Sequence, residues 1–375
     1  NKRFACSGVQ NGKFRGRNYD WYYDDTDLCI VQSKKTANRK HASVGVSDLS
    51  FLKKDEKGHY DLEKIPLVTV DGINDAGLCI QVNVLTYGEN GVNFVHTEDT
   101  SDDLHGARVV RYILDNADSV DNAIALLKQK DIDSTYYGAE EFHWLISGPV
   151  SADDKTIKTV VVEKFPSDYA KFAEINETQG LAITDTFVDN KPIMTNLNVH
   201  NFDGTSSTVG YGLGFERWQL LDKYYNQGTS IMGMFDLMEK VWYSKFYDFY
   251  GELFWYSEFA LTALDQTTYY SAHLDELKNK LDELLGAGTY DYMMENYGHI
   301  YYLPEMWGAS GPINGDTSKA GIIGPCLEVT SSMYNAQNLG NELWITVHTS
   351  VYDLEAKQLN IQVRESQDVL TFEIA

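Results

Sequence analysis

Cys6 and Arg17 are the pair in this chain whose types and spacing could do chemistry. They flank a tight turn in Cys6-Ser7-Gly8-Val9-Gln10-Asn11-Gly12-Lys13-Phe14-Arg15-Gly16-Arg17-Asn18-Tyr19-Asp20-Trp21. Asn-Gly between two β-compatible runs is the strongest local signal for a two-residue type I′ hairpin, because both loop residues need positive φ. With Asn11 and Gly12 as the loop, Gln10 pairs with Lys13, Val9 with Phe14, Gly8 with Arg15, Ser7 with Gly16 and Cys6 with Arg17. Opposed residues have Cβ atoms about 4.5–5.5 Å apart. A guanidinium beside a thiol lowers its pKa and makes it a nucleophile. No histidine lies in this hairpin to act as its base. Cutting the chain before Cys6 would supply one, since the freed α-amino group has a pKa of about 7.7–8.0. Ala5 and Ser7 are small, so the thiol could approach the Ala5–Cys6 peptide bond itself.

The elements that must position this pair read as strands, then helices, then strands. Asp71-Gly72-Ile73-Asn74-Asp75-Ala76-Gly77 reads as the turn of a second hairpin between Leu67–Val70 and Leu78–Leu85. Its second strand alternates, with Leu78, Ile80, Val82 and Val84 on one face and Cys79, Gln81 and Asn83 on the other, as in a sheet that supports a site. Helices are expected at Leu104–Leu114 and Val120–Lys128, the latter capped by Ser119. Strands follow at Thr159–Glu163 and Leu181–Thr184. The pattern is helical from Tyr211 to about Gly286, with the stripe Leu274, Leu277, Leu281, Leu284. The chain closes on strands at Leu343–Tyr352 and Gln358–Arg364. This is an α+β plan with sheets at both chain ends.

Composition narrows the classes. The 375 residues carry 31 basic against 55 acidic side chains, a net charge of −24. That surface argues against nucleic acid or anionic membrane as partners. The basic stretch Lys34-Lys35…Arg39-Lys40 reads as a solvated loop. No apolar run reaches membrane-spanning length. Cys6, Cys29, Cys79 and Cys326 form no disulfide framework or zinc spacing, and the histidines form no ligand pair, so neither cofactor nor metal is expected. Aromatic residues crowd the stretch from Trp242 to Trp307, either as packing or as a wall for an apolar ligand.

The motifs in order resemble the choloylglycine hydrolase and penicillin V acylase family of cysteine N-terminal-nucleophile hydrolases. Cys-x-x-hydrophobic followed by Gly16-Arg17-Asn18-Tyr19-Asp20-Trp21 resembles its opening, and Asp71–Leu78 with Asn83 a few residues on resembles its second motif. Met194-Thr195-Asn196 resembles a third, and Trp344–Leu354, ending Val351-Tyr352-Asp353-Leu354, a closing strand. The resemblance implies a single four-layer αββα domain over 1–375, with residues 1–5 a propeptide and a helical aromatic-rich insertion at about 230–310. It implies Cys6 as nucleophile, Arg17 and Asp20 orienting it, Asn83 and Asn196 forming an oxyanion hole, and Arg217 as the arginine after the third motif. It further implies a linear amide substrate with an apolar acyl group and a homo-oligomer, a tetramer in the family. The absent initiator Met leads us to expect a removed export signal and a periplasmic or secreted protein. Hyphenated to Ala5, the Cys6 nitrogen is an amide and no base. The residues alone keep plainer readings open. Cys6 would then be an inert small hydrophobe, Arg17 would pair with a surface carboxylate, and Asn83 and Asn196 would satisfy backbone groups.

Overall fold

The computed structural model describes residues 6–22, 27–85, 103–133, 141–164, 181–195, 218, 221–241, 287, 303–304, 320–321, 344–363, 366 and 368–375. Its strands, in chain order, begin with β1 (Ser7–Asn11), β2 (Phe14–Tyr22), β3 (Leu28–Ser33), β4 (Ser43–Asp48), β5 (Thr69–Asn74) and β6 (Cys79–Leu85). The middle of the chain adds β7 (Asp103–His105), β8 (Asp131–Asp133), β9 (Glu141–Pro149), β10 (Ile157–Lys164), β11 (Leu181–Thr184) and β12 (Ile193–Met194). The last are β13 (Leu303–Pro304), β14 (Ala320–Gly321), β15 (Trp344–Asp353), β16 (Gln358–Val363) and β17 (Leu370–Glu373). The described α-helices are α1 (Val109–Asn116), α2 (Val120–Leu127) and α3 (Ile231–Glu239).

The result is a mixed, sheet-rich α+β structure. One sheet has six strands in the order β12-β1-β2-β15-β16-β17, and the other seven in the order β11-β10-β9-β6-β5-β4-β3. Every pair within them is antiparallel. Two short pairs, β7 with β8 and β13 with β14, stand apart.

Alternation decides which face goes where. Leu78 and Ile80 turn toward α1 and α2 and pack with Val109, Ile113, Leu114, Val120 and Leu127. Cys79, Gln81 and Asn83 turn the other way, toward the six-stranded sheet, as their alternation predicts. On the far side of that sheet α3 packs Met234, Phe235, Leu237 and Met238 against Val9 and Val351. Ser119 caps α2 as expected, accepting from Asn122 N at 3.3 Å. The preceding helix starts later than its apolar pattern suggests. Leu104 belongs to β7, and the His105 side chain accepts from Ala107 N to start a 3₁₀ turn before α1.

Two turns differ instructively from expectation. In the first hairpin Asn11 pairs with Phe14, so the loop is Gly12-Lys13, one residue later than expected. Gly12 alone takes positive φ, +54°, which is the pattern of a type II′ loop with glycine first. Asn11 remains in the strand because its Nδ2 donates to Tyr225 O at 3.0 Å. In the second hairpin β5 continues through Asp71 to Asn74, and the turn is confined to Asp75–Gly77. Asn74 Oδ1 accepts from Ala76 N and Leu78 N, each at 3.1 Å, while its Nδ2 donates to Leu114 O and Ala117 O. The side chain thus makes the turn and ties it to the end of α1. The expected Leu274–Leu284 stripe and most of the aromatic-rich stretch lie outside the described residues.

The sheets meet closely where β1 crosses β6. A Cβ on Gly8 would stand 2.4 Å from Gln81 Nε2. Gln81 cannot swing away without breaking its buried hydrogen bonds, so Gly8→Ala should cost about 1–3 kcal/mol by overpacking. Urea unfolding of that variant checks this; a midpoint equal to wild type would show that Gln81 yields freely.

Candidate active site

The space between the sheets is a buried polar layer. Extending the β1–β2 register (Ser7 with Asn18, Gly8 with Arg17) places Cys6 opposite Tyr19 and diagonal to Arg17. The expected contact is therefore made, but across the diagonal: Arg17 Nη2 lies 3.9 Å from Cys6 Sγ. The thiol itself points to the Asp20 backbone carbonyl at 3.8 Å. Cys6 is buried and in no disulfide.

Arg17 is fully buried and held from three sides. Its Nη1 donates to Asp71, its Nη2 to Val82 O at 2.6 Å, and its guanidinium lies 4.7 Å over the Tyr19 ring. Tyr19 in turn donates to Asp48 Oδ2 at 2.6 Å. Burial works against the guanidinium charge, yet the Asp71 carboxylate, and after it Cys6, raise its pKa above the ordinary value. Asp71 is the hub beneath it. Besides Arg17, it accepts from Tyr352 OH, from Ser350 Oγ at 3.2 Å, and faces His348 Nε2 at 3.4 Å. Burial alone would raise its pKa. The charge of Arg17 and the bonds from His348 and Tyr352 overturn that and hold the carboxyl well below the usual carboxylate range.

Asn83 lies on the inward face of β6 and is buried. Its orientation follows from donor–acceptor logic. Arg15 Nη1, which can only donate, meets Gln81 Oε1 at 3.3 Å. Gln81 Nε2 therefore faces Ser7 O at 3.3 Å and Asn83 Oδ1 at 2.9 Å. That leaves Asn83 Nδ2 as a buried donor with no hydrogen-bond partner among the described residues. An unpartnered buried donor in the same layer as a buried thiol is the kind of group an oxyanion site uses. Arg15, also fully buried, has as its remaining partners Gln10, Leu145 O and Ser147. Burial lowers its pKa to about 10. Burial likewise pushes the Cys79 thiol up to about 12, so Cys79 stays protonated and inert.

The structure gathers Cys6, Arg17 and Asn83 in one layer. Asp20 is on the other face of β2, as strict alternation demands. Its Oδ1 accepts from Thr346 Oγ1 at 2.6 Å, across a bulge in β15 between Thr346 and His348. On the same face Asn18 Nδ2 donates to Met238 O at 2.8 Å. Asn196 and Arg217 lie outside the described residues; Thr195, buried, is the last residue described before Asn196. Among the described residues no three His, Cys, Asp or Glu side chains gather as metal ligands would, and no helix is long and apolar enough to cross a membrane.

The site also contains residues the sequence reading passed over: Arg15, Gln81, Asp71, His348 and Tyr352. Gln81 was readable from its place between Cys79 and Asn83 on the polar side of β6. Asp71 was hidden by its Asp-Gly dipeptide, a turn signal that the strand overrides.

Residues 9–138 match the family model described as acyl-coenzyme A:6-aminopenicillanic acid acyl-transferase. Two variants of the conjugated bile acid hydrolase from Clostridium perfringens are among similar solved structures. One covers 98% of this chain and 92% of its own, the other 99% and 92%, both at 13% identity and a TM-score of 0.43. Penicillin V acylase from Agrobacterium tumefaciens covers 98% and 86%, at 16% identity and a TM-score of 0.41. The curated proteins give no match. The matched stretch includes Gly16–Trp21 and Asp71–Asn83 and ends before Met194.

Proposed function

We propose that this chain is a cysteine N-terminal-nucleophile amidohydrolase that cleaves a linear, non-peptide amide through a Cys6 acyl-enzyme, after residues 1–5 have been removed. The observation that carries the reading is the pairing of Cys6 Sγ with Arg17, 3.9 Å away, in the same buried layer as the orphaned Asn83 donor. Facing sheets with α1 and α2 on one outer side and α3 on the other support the four-layer αββα arrangement that such an enzyme uses. In this reading the sulfur attacks the amide carbonyl and the carbonyl electrons move onto oxygen, where Asn83 Nδ2 holds them. The amine leaves, and water hydrolyses the thioester. Arg17 keeps the sulfur in a positive field. Asp71 and Tyr19 keep Arg17 in place. The freed Cys6 amine is the base. By resemblance, Asn196 is assigned to the oxyanion hole and Arg217 to the place of the arginine after the third motif.

The substrate class is an apolar acyl group joined to a small polar amine, as in conjugated bile acids, phenoxyacetyl penicillins and N-acyl amides. A panel of these three, with the released acid and amine quantified, tests the reading. Absence of turnover in protein whose intact mass shows Cys6 at its N-terminus would leave a binding protein on the same fold. Asn83→Ala should lower kcat by about 10²–10³-fold while KM changes little, the signature of a donor used only in the transition state. An equal rise in KM at unchanged kcat would make Asn83 a ground-state contact instead.

The description of the matching family favours a second reading, acyl transfer. The same thioester can be resolved by an amine in place of water. Adding a 6-aminopenicillanic acid type acceptor during turnover, and finding product diverted from acid to new amide, would establish it.

A further inference from the structure

Beyond the residues already placed, the polar layer holds a histidine–carboxylate pair. His143 on β9 and Glu163 on β10 are register partners and both fully buried. His143 Nδ1 and Glu163 Oε1 are 3.1 Å apart. With the carboxylate accepting from Nδ1–H, the lone pair of Nε2 remains, and Nε2 has no hydrogen-bond partner among the described residues. His143 is also the cross-strand partner of Asn83. Two adjacent strands therefore present two unsatisfied buried polar atoms side by side, an arrangement that native interiors rarely tolerate without a use.

Register shows what lies opposite them. Arg15 reaches Leu145 O and Ser147. One two-residue step along β2, Arg17 reaches Val82 O and Asp71. Gly8, the register partner of Arg17, sits on Gln81. The next inward position of β1 is Cys6; the next inward positions of β6 and β9 are Asn83 and His143. Met194 of β12, beside β1, packs on Leu145 and Val161 of β9 and β10, so β1 and β12 cover these strands. Cys6 thus comes to the level of Asn83 and His143.

We propose that His143, oriented by Glu163, takes the proton of the Cys6 thiol while the Cys6 nitrogen is still bound to Ala5. This rests on Cys6 being the nucleophile. The α-amine that serves as base after maturation does not exist before it, so the first cleavage needs another base. The thiol proton passes to His143 Nε2. The sulfur attacks the Ala5 carbonyl carbon, a C–S bond forms and the carbonyl electrons move onto its oxygen. The C–N bond breaks with its electron pair on the Cys6 nitrogen, which takes the proton back from His143. Water then hydrolyses the thioester, releasing residues 1–5 as an acid and restoring the thiol. His348 is the other imidazole of the layer, but its register partner is Tyr19, which separates it from Cys6. Besides Glu163, which bonds His143, the buried charged and titratable groups of this layer are Cys6, Arg15, Arg17, Tyr19, Asp71, Cys79, His348 and Tyr352.

The experiment follows intact mass with time in full-length wild type, His143→Gln, His143→Asn, Glu163→Gln and, as a control at an exposed histidine, His59→Gln, each shown folded by circular dichroism. Loss of Asn1–Ala5 should slow by about 10²-fold or more in both His143 variants, less in Glu163→Gln, and not in His59→Gln. In parallel, iodoacetamide labelling of Cys6 across pH reads the thiol directly, even if wild type keeps residues 1–5. Wild type should label at lower pH than the His143 variants. Superimposable profiles with wild-type processing in the His143 variants would overturn the assignment. Amide hydrolysis by Cys6→Ala protein would instead overturn the nucleophile, and the labelling comparison would be unaffected by that result.

Discussion

Cys6→Ala protein will retain its fold and lose amide turnover by on the order of 10⁴-fold or more, because no acyl-enzyme can form without the sulfur. The substitution removes one buried atom, so its stability cost should stay near 1 kcal/mol. Cys6→Ser is the sharper comparison. A hydroxyl is far less acidic than a thiol, so a weakly active serine variant with no acyl burst would point to thiolate chemistry. The reading also predicts that a mass increase matching the acyl group, trapped by acid quench, will localise to Cys6. Turnover within tenfold of wild type in Cys6→Ala would sink the nucleophile assignment outright.

Asp71→Ala should be strongly destabilising. Arg17 and Asp71 are both fully buried, and removing one member of such a pair leaves an uncompensated charge, worth about 3–5 kcal/mol. Tyr352, Ser350 and His348 lose their acceptor at the same time. Urea unfolding should show the midpoint falling at an unchanged m-value. Asp71→Asn keeps the shape and removes the charge. It separates the two costs and makes a pH prediction. The folded carboxyl stays ionised well below the unfolded aspartate value of about 3.9. The stability it contributes is therefore complete above that value and is lost as pH falls below it. The acid limb of the stability curve should flatten in Asp71→Asn; an identical limb would mean that other carboxylates govern acid unfolding.

What local chemistry could show, it showed. The Asn-Gly pair marked the first hairpin, and its register slipped by one because Asn11 is recruited by a carbonyl at Tyr225, a residue no local window reaches. The Cys6–Arg17 contact survived the slip, because a one-residue shift of the loop turns an opposed pair into a diagonal pair on the same face. Alternation in β6 put Gln81 and Asn83 on the functional side, and the same alternation separated Asp20 from Arg17. The residues that escaped detection act across large sequence distances. Nothing near Asp71 announces that His348, Ser350 and Tyr352 will converge on it. His143 and Glu163 were missed for a different reason. Phe142-His143-Trp144-Leu145-Ile146-Ser147 is apolar on both parities but for two residues, so the face carrying His143 and Ser147 does not stand out.

The pairing of β2 with β15 has a consequence for biosynthesis. Phe14–Tyr22 takes its neighbour from Trp344–Asp353, so this central pair of the sheet joins the two ends of the chain. At about 5–20 residues per second of translation, β15 emerges on the order of tens of seconds after β2. Until then the N-terminal hairpin lacks its partner strand, and Asp71 lacks the tyrosine and serine that anchor it. Asp71, which holds Arg17 beside Cys6, thereby gains its full set of partners only after β15 has been made. The same topology makes folding slow, because loop closure across nearly the whole chain precedes the contacts that reward it. Chains released before β15 should expose the unpaired edge of β2 and be the species that chaperones retain.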